Sequence, residues 1–215
     1  ETVTSLGLSQ TLGTRDDRLD NICNDFVDDT YRLKAGILDI LQTYRRDLLS
    51  PDQRIAYDSY SWLLAAWEEE HEFMYHFYPV TYGFSRQVDL FRFLADEHPL
   101  ETRQNAEDYV SRLEQIDDQL ACLISNLQDS QQRGIIAPAQ FLRRASDQIR
   151  DIGPGSARYL SFYTDFEAGI AGIAELTPAE RLQMLDDAEA AINESVIPAY
   201  QDLVTALDAQ IPIAP

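Results

Sequence analysis

The sequence is poor in basic residues and in long apolar runs, and each shortage excludes a class of protein. Only 17 basic residues stand against 37 acidic ones, which gives a net charge of -20 over 215 residues. Nucleic acids and anionic membrane surfaces bind proteins through positive charge, so we expect neither as a partner. Apolar runs of about 20 residues are missing, and we therefore predict no transmembrane segment.

Cysteine is also scarce. The two cysteines, Cys23 and Cys122, are too few for a disulfide scaffold or a Cys-rich zinc site. Each falls in a predicted helix, where a cysteine is typically a small buried apolar residue. A single disulfide between them stays open, because it depends on whether the two helices meet.

Helical periodicity dominates the sequence. The first predicted helix, over residues 16–49, has an apolar stripe at spacings of three, four and seven: Ile22, Phe26, Leu33, Ile37, Ile40, Tyr44 and Leu48. Similar patterns predict helices up to about residue 77, over about 86–96, between Thr102 and Gly134, within residues 135–149, and after Thr177. No segment shows a sustained period of two. We therefore predict an all-α fold over residues 1–215: one domain of about six or seven helices, with long antiparallel helices packed as an irregular bundle.

Local signals mark where several of these helices begin or bend. Ser50 and Gln53, and again Thr177 and Glu180, have the three-residue spacing of a capping box. Pro198 lies inside the last predicted helix and should kink it, because proline lacks the backbone N–H and crowds the preceding turn.

The stretch EEEHEFMYH at residues 68–76 resembles a zinc-peptidase helix, but its two histidines are wrongly spaced. The motif His-Glu-x-x-His places two histidines four apart, about 40° out of line on a helix. His71 and His76 are five residues apart, or about 140° around the helix. His71 lies on the apolar stripe of its helix and is predicted to be a core or groove histidine with a hydrogen-bond partner.

Glu68, Glu72 and His76 are candidate metal ligands, because they follow one another at four-residue spacing. Two carboxylates and one histidine make a chemically sensible site. The alternative is an acidic solvated face with a Glu–His pair, which the sequence favours because no second helix supplies a matching motif. His98 precedes Pro99 and is predicted to lie at a helix end.

Residues 50–138 resemble a known family. The segments LSPDQRIAYDSYSWLL, FYPVTYGF, HPLETRQNAEDYVSRL and RGIIAP are similar to the N-terminal half of the bacterial family catalogued as domain of unknown function 885. TSLGL and VIPAYQDLVTALD also fit, so the likeness covers essentially the whole chain. The family groups with zincin-like metallopeptidases, and many members are secreted or lipid-anchored. The resemblance thus implies an extracytoplasmic location: periplasmic, lipid-anchored or secreted.

In that family the His-Glu-x-x-His motif lies in the C-terminal half, and no position of this chain matches it. The resemblance implies a non-catalytic helical N-terminal region, inactive alone and without a cofactor, zinc being expected only in the C-terminal half. That catalytic half would be its partner, and a peptide is a further candidate. The region would wall one side of a substrate groove, with His71, Tyr78, Tyr82 and Phe84 as candidate groove residues. The alternative is a free-standing helical module that binds a peptide or a protein.

Overall fold

The computed structural model describes residues 1–83, 85–150 and 156–215, and no strand occurs within them. The predicted all-α fold is confirmed. In chain order the helices are α1 (Thr2–Ser5), α2 (Ser9–Leu12), α3 (Asn24–Gln42), α4 (Pro51–His71), α5 (Arg86–Arg92), α6 (Arg103–Glu114), α7 (Ile116–Gln132), α8 (Ala139–Arg150), α9 (Ser161–Ile170), α10 (Pro178–Ala191) and α11 (Ile197–Gln210). In the part of the chain so described, none of them has the length and apolar character needed to cross a bilayer.

Both predicted capping boxes are present. The Ser50 hydroxyl accepts the backbone N–H of Gln53, whose side chain accepts the Ser50 N–H in return. Thr177 and Glu180 make the same pair of bonds at the start of α10. These starts were predictable because each bond joins residues only three apart in the sequence.

The helix predicted between Thr102 and Gly134 is divided at Gln115 into α6 and α7. The Ser195 hydroxyl bridges this junction, because it donates to the carbonyl of Glu114 and accepts the backbone N–H of Asp117. A side chain from the last helical region thus satisfies backbone groups that the break leaves free.

Pro198 was predicted to kink the last helix. The structure has a π-helical segment, Ile192–Val196, just before it, between α10 and α11. Proline supplies no backbone N–H, and its ring crowds the carbonyl four residues earlier, here that of Glu194. A wider turn before the proline relieves this crowding. The same segment carries Ser195, so the distortion also positions the hydroxyl that bridges α6 and α7.

The main core comes from residues 80–207 and lies among α5 to α11. Two buried tyrosines stabilise this core through hydrogen bonds of their hydroxyls and through packing of their rings. Tyr109 donates to the carbonyl of Phe162 at 2.9 Å, and Tyr200 donates to the carbonyl of Gln87 at 2.7 Å. The Tyr109 ring also stacks on Phe166 with centroids 4.7 Å apart. Each buried hydroxyl therefore has a partner, and large rings fill the space between the helices.

The helices α3 and α4 form an antiparallel hairpin outside this core. They pack chiefly against each other. Their buried apolar residues are Leu38 and Leu64, and neither belongs to the main core. Phe26, Leu33 and Ile40 of the stripe predicted for the first helix lie on the side away from α4, where Leu33 is 65% and Ile40 62% exposed.

The first long helix is shorter than predicted at both ends, because residues 16–23 are not helical and α3 ends at Gln42. Amide side chains of α7 and of Gln115, at the junction before it, donate hydrogen bonds to the backbone carbonyls of this segment. Gln119 donates to the carbonyl of Asp20 at 2.7 Å, and Asn126 donates to that of Ile22 at 2.8 Å. The segment is therefore held in an extended path across the body instead of continuing α3.

Cys23 and Cys122 form a disulfide that spans 99 residues of sequence. The expectation that both are small buried apolar residues is wrong, since each is only half-buried and Cys23 lies just before α3. Hydrogen bonds support the crosslink: the Asn24 backbone N–H donates to Asn126, and the Asn24 side chain donates to Asp129. The base of the hairpin is thus covalently attached to α7.

Candidate functional site

His71 lies between the two helices of the hairpin. The sequence predicted a hydrogen-bond partner for His71 without identifying it. That partner is Asp28 of α3, whose Oδ1 lies 2.6 Å from the His71 Nε2. The imidazole stacks on Tyr31 with ring centroids 4.5 Å apart. Lys34 Nζ lies 4.1 Å from the centre of the Trp67 ring and completes the cluster. These contacts fasten α3 to α4 and leave the imidazole half-buried.

Glu68, Glu72 and His76 do not share one helix. Helix α4 ends at His71, Glu72 follows it as the cap, and His76 lies in the separate 3-10 turn Met74–His76. The His76 ring meets the edge of Phe73. Within residues 1–83, 85–150 and 156–215, no group of three or more histidine, cysteine or acidic side chains is placed to hold a metal ion. The alignment that suggested a metal site therefore breaks where the helix ends.

Residues 73–82, called here the aromatic loop, present several large rings to solvent: Phe73, Phe77, Tyr78 and Tyr82. Two contacts fix the loop on the body, since Val80 is fully buried in the core and the Arg133 guanidinium lies 3.9 Å from the centre of the Tyr75 ring. The sequence predicted Tyr78 and Tyr82 as groove candidates and missed the two phenylalanines. Phe84, the remaining candidate, lies outside the described residues.

A second exposed apolar surface runs along the outer side of the hairpin. It is called here the α3 stripe and consists of Phe26, Leu33 and Ile40, all exposed. Tyr44 and Leu48 of the predicted stripe are exposed as well, but they lie beyond the end of α3 at Gln42. Steps of seven residues drift by only about 20° around a helix, so Phe26, Leu33 and Ile40 form a nearly straight row. Contiguous exposed apolar surface of this kind marks an interaction site on soluble proteins. The sequence predicted the row but gave no sign that it lies uncovered.

A depression of about 580 Å³ opens beside the disulfide. Its lining includes Asp20, Asp118 and Asp129 and the amide side chains of Gln119 and Asn126. Both amides donate to backbone carbonyls of the segment before α3. These two amides therefore serve the attachment of the hairpin.

Arg112 organises a buried polar cluster that fixes the N-terminal 20 residues to α6. Its guanidinium is only 1% exposed and donates to His98 Nδ1 at 2.6 Å, to Thr4 Oγ1 at 2.7 Å and to the carbonyl of Arg18 at 3.0 Å. Thr4 in turn donates to Asp16 at 2.5 Å. His98 follows a helical segment, as predicted, but its ring is buried within this cluster. The cluster is structural, because every polar group in it faces another.

Burial lowers the pKa of His98 from 6.5 to about 4, and the positive charge of Arg112 acts in the same direction. The hydrogen bond between its Nε2 and the carbonyl of Asn105 opposes the shift. In the folded protein His98 is therefore neutral at pH 6, whereas in the unfolded chain much of it is protonated.

We expect the free energy of unfolding to fall by up to about 3 kcal/mol as the pH drops from 6.5 to 4, because the unfolded state binds a proton that folded His98 does not. Urea unfolding at a series of pH values measures this slope. The variant His98→Gln keeps a donor and an acceptor but does not titrate, so its profile should be flatter over the same interval. Glu180, whose pKa is lowered from 4.5 to about 2 by its bonds to Thr177 and Arg103, also makes the protein less stable at the acid end of this interval, but it does so in both proteins. An equal slope in both proteins would contradict the assignment to His98.

Comparisons with known proteins agree with this architecture. A family model described as "Bacterial protein of unknown function (DUF885)" matches residues 1–214. No curated protein matches the chain. Among solved structures, that of "the putative lipoprotein from Colwellia psychrerythraea" is similar, with a TM-score of 0.83 at 20% identity. The match covers 99% of this chain but 38% of that one, so the present chain spans well under half of its length.

Proposed function

Because the chain belongs to the bacterial family of unknown function DUF885, we propose that it is the non-catalytic helical N-terminal portion of a longer zincin-like protein. In this proposal it walls one side of a substrate groove. The proposal that the whole protein resembles a zinc peptidase rests on the likeness of residues 50–138 to the family and on the family's grouping with zincin-like enzymes. The match to only 38% of the similar lipoprotein chain supports the view that further protein accompanies this region.

The observation that carries the proposal is the apolar surface left uncovered beside a complete core. Helices α5 to α11 bury most of their apolar side chains among themselves, while the α3 stripe and the aromatic loop stay exposed. Soluble monomers rarely leave extended apolar surface in water. Two surfaces suggest two tasks: contact with the remaining protein, and contact with a substrate.

The aromatic loop is the better candidate for the substrate. The rings of Tyr78 and Tyr82 combine an apolar face with a polar hydroxyl, which suits contact with a peptide. The loop is attached through Val80 and Tyr75 and therefore presents its rings from a fixed base. His71 contributes indirectly in this proposal, because its bond to Asp28 holds the hairpin beside the loop in one arrangement.

An extracytoplasmic location is part of the same proposal. Disulfides persist in oxidising compartments and are rare in the cytosol, and the bond between Cys23 and Cys122 fits the former. The similar solved protein is described as a putative lipoprotein. Both observations support a periplasmic, lipid-anchored or secreted protein.

Zinc titration tests whether the metal site lies outside these 215 residues. Calorimetry of the 215-residue chain is expected to show no tight zinc site, whereas the whole protein from its native host is expected to show a stoichiometric one. A tight site in the 215-residue chain that His76→Ala abolishes would overturn this view and would place the metal on Glu68, Glu72 and His76.

A free-standing binding module is the alternative, and the exposed rings of the aromatic loop favour it as well. The two functions differ in what the chain does alone. A free-standing module binds its peptide or protein ligand tightly as the 215-residue chain. A groove wall needs the opposite wall, so the chain alone should bind peptides weakly.

A further inference from the structure

Helix α3 has apolar side chains on two opposite faces, and only one face is covered. Tyr31 and Leu38 face α4, where Leu38 is buried. Leu33 follows Tyr31 by two residues, which is about 200° around the helix. The row of Phe26, Leu33 and Ile40 therefore lies directly opposite α4. A helix of this kind is typical of the middle of a three-layer arrangement, yet here the third layer is missing among the described residues.

We propose that the α3 stripe docks an amphipathic helix from the remaining part of the same polypeptide. This inference rests on the proposed function, which supplies the longer chain. The match to a solved chain of which this one covers 38% leaves ample protein to supply that helix. In the whole protein α3 would then lie between α4 and the docked helix.

The shape of the stripe favours a helix as its occupant. Phe26, Leu33 and Ile40 are spaced by seven residues and extend over about 21 Å along the axis. A straight row with this repeat is the surface that packs against a second helix with a matching apolar row. An extended peptide would instead require side-chain pockets or an exposed strand edge, and the described residues contain no strand.

Charge favours a partner that differs from this chain. Asp25 and Asp39 are exposed on one flank of α3, and neither has an ion-pair partner in the described part of the chain, whereas Asp29 pairs with Arg32. A second copy would bring the same acids and the same net charge of -20. An anionic bilayer would likewise be repelled. The docked helix should therefore carry basic residues along the edge that faces Asp25 and Asp39.

Hydroxyl-radical footprinting of the whole protein, purified from its native host and read by mass spectrometry, tests this proposal. Leu33 and Ile40 are expected to lose their labelling and to resemble Leu38, which is buried on the other face of the same helix. Leu182, which is 64% exposed on α10, should stay labelled. The loss should not depend on protein concentration.

The double variant Leu33→Glu with Ile40→Glu should restore labelling at Phe26, and the control Leu182→Glu should leave Phe26 protected. Stripe labelling as strong as that of Leu182 would overturn the proposal. So would protection that appears only at high protein concentration, which indicates a second copy, or only with phosphatidylglycerol vesicles, which indicates a membrane. A whole protein that binds zinc while its stripe stays labelled would refute the docking and leave the proposed function standing.

Discussion

The variant Arg112→Ala is expected to lower the free energy of unfolding by about 3–5 kcal/mol, the usual effect of removing one partner from a buried charged cluster. The guanidinium is 1% exposed and has three hydrogen-bond partners. Its removal leaves His98 Nδ1 and the carbonyl of Arg18 without that donor, and it leaves the carboxylate of Asp16 without its nearest positive charge. Buried polar groups without partners are costly.

Urea unfolding followed by circular dichroism measures this loss. Arg158→Ala is the matched control, because Arg158 also pairs with an acidic residue, Glu189, but does so on the surface. The control should change stability far less, since water replaces an exposed partner. Hydrogen exchange should rise across the N-terminal 20 residues in Arg112→Ala. Equal losses in the two variants would show that the buried cluster does not fix this segment.

Loss of the disulfide is expected to cost about 2–5 kcal/mol, the range seen when a native crosslink is removed from a small protein. The bond closes a loop between residues 99 apart and joins the start of α3 to α7. Its absence gives the unfolded chain more freedom and leaves the hairpin base held by the Asn24 hydrogen bonds. Amide exchange in α3 should therefore rise more than exchange in α9, which lies in the main core.

Unfolding with and without dithiothreitol measures this effect. The double variant Cys23→Ser with Cys122→Ser serves as the control, because it should match the reduced protein and should not respond to the reductant. Two free thiols in the untreated protein, detected by thiol titration after unfolding, would contradict the crosslink. An unchanged unfolding midpoint on reduction would show that the crosslink adds no stability.

Local features of the fold could be predicted from the sequence, and long-range ones could not. The helices and the capping boxes at Ser50 and Thr177 depend on residues three or four apart, and such short spacings are visible in the sequence itself. The early end of the predicted first helix depends on Gln119 and Asn126, about 100 residues away. Two cysteines 99 residues apart likewise give no signal that they meet.

In the candidate site, too, local features could be predicted from the sequence and long-range contacts could not. The sequence predicted that His71 has a partner, but Asp28 could be identified only once α3 and α4 were paired. Periodicity also placed Leu33 and Ile40 on one face of a helix. It could not say which face α4 would cover, because a helix with apolar residues on both sides fits either arrangement.

The mass of the intact protein from its native host tests the central claim most directly. Since this chain covers 38% of the similar solved chain, we expect a mass of more than twice the 24.5 kDa of these 215 residues. The zinc motif would then be sought in the additional sequence, together with the helix that docks on the α3 stripe. A native mass of 24.5 kDa would contradict the account and leave the free-standing module as the function of the chain.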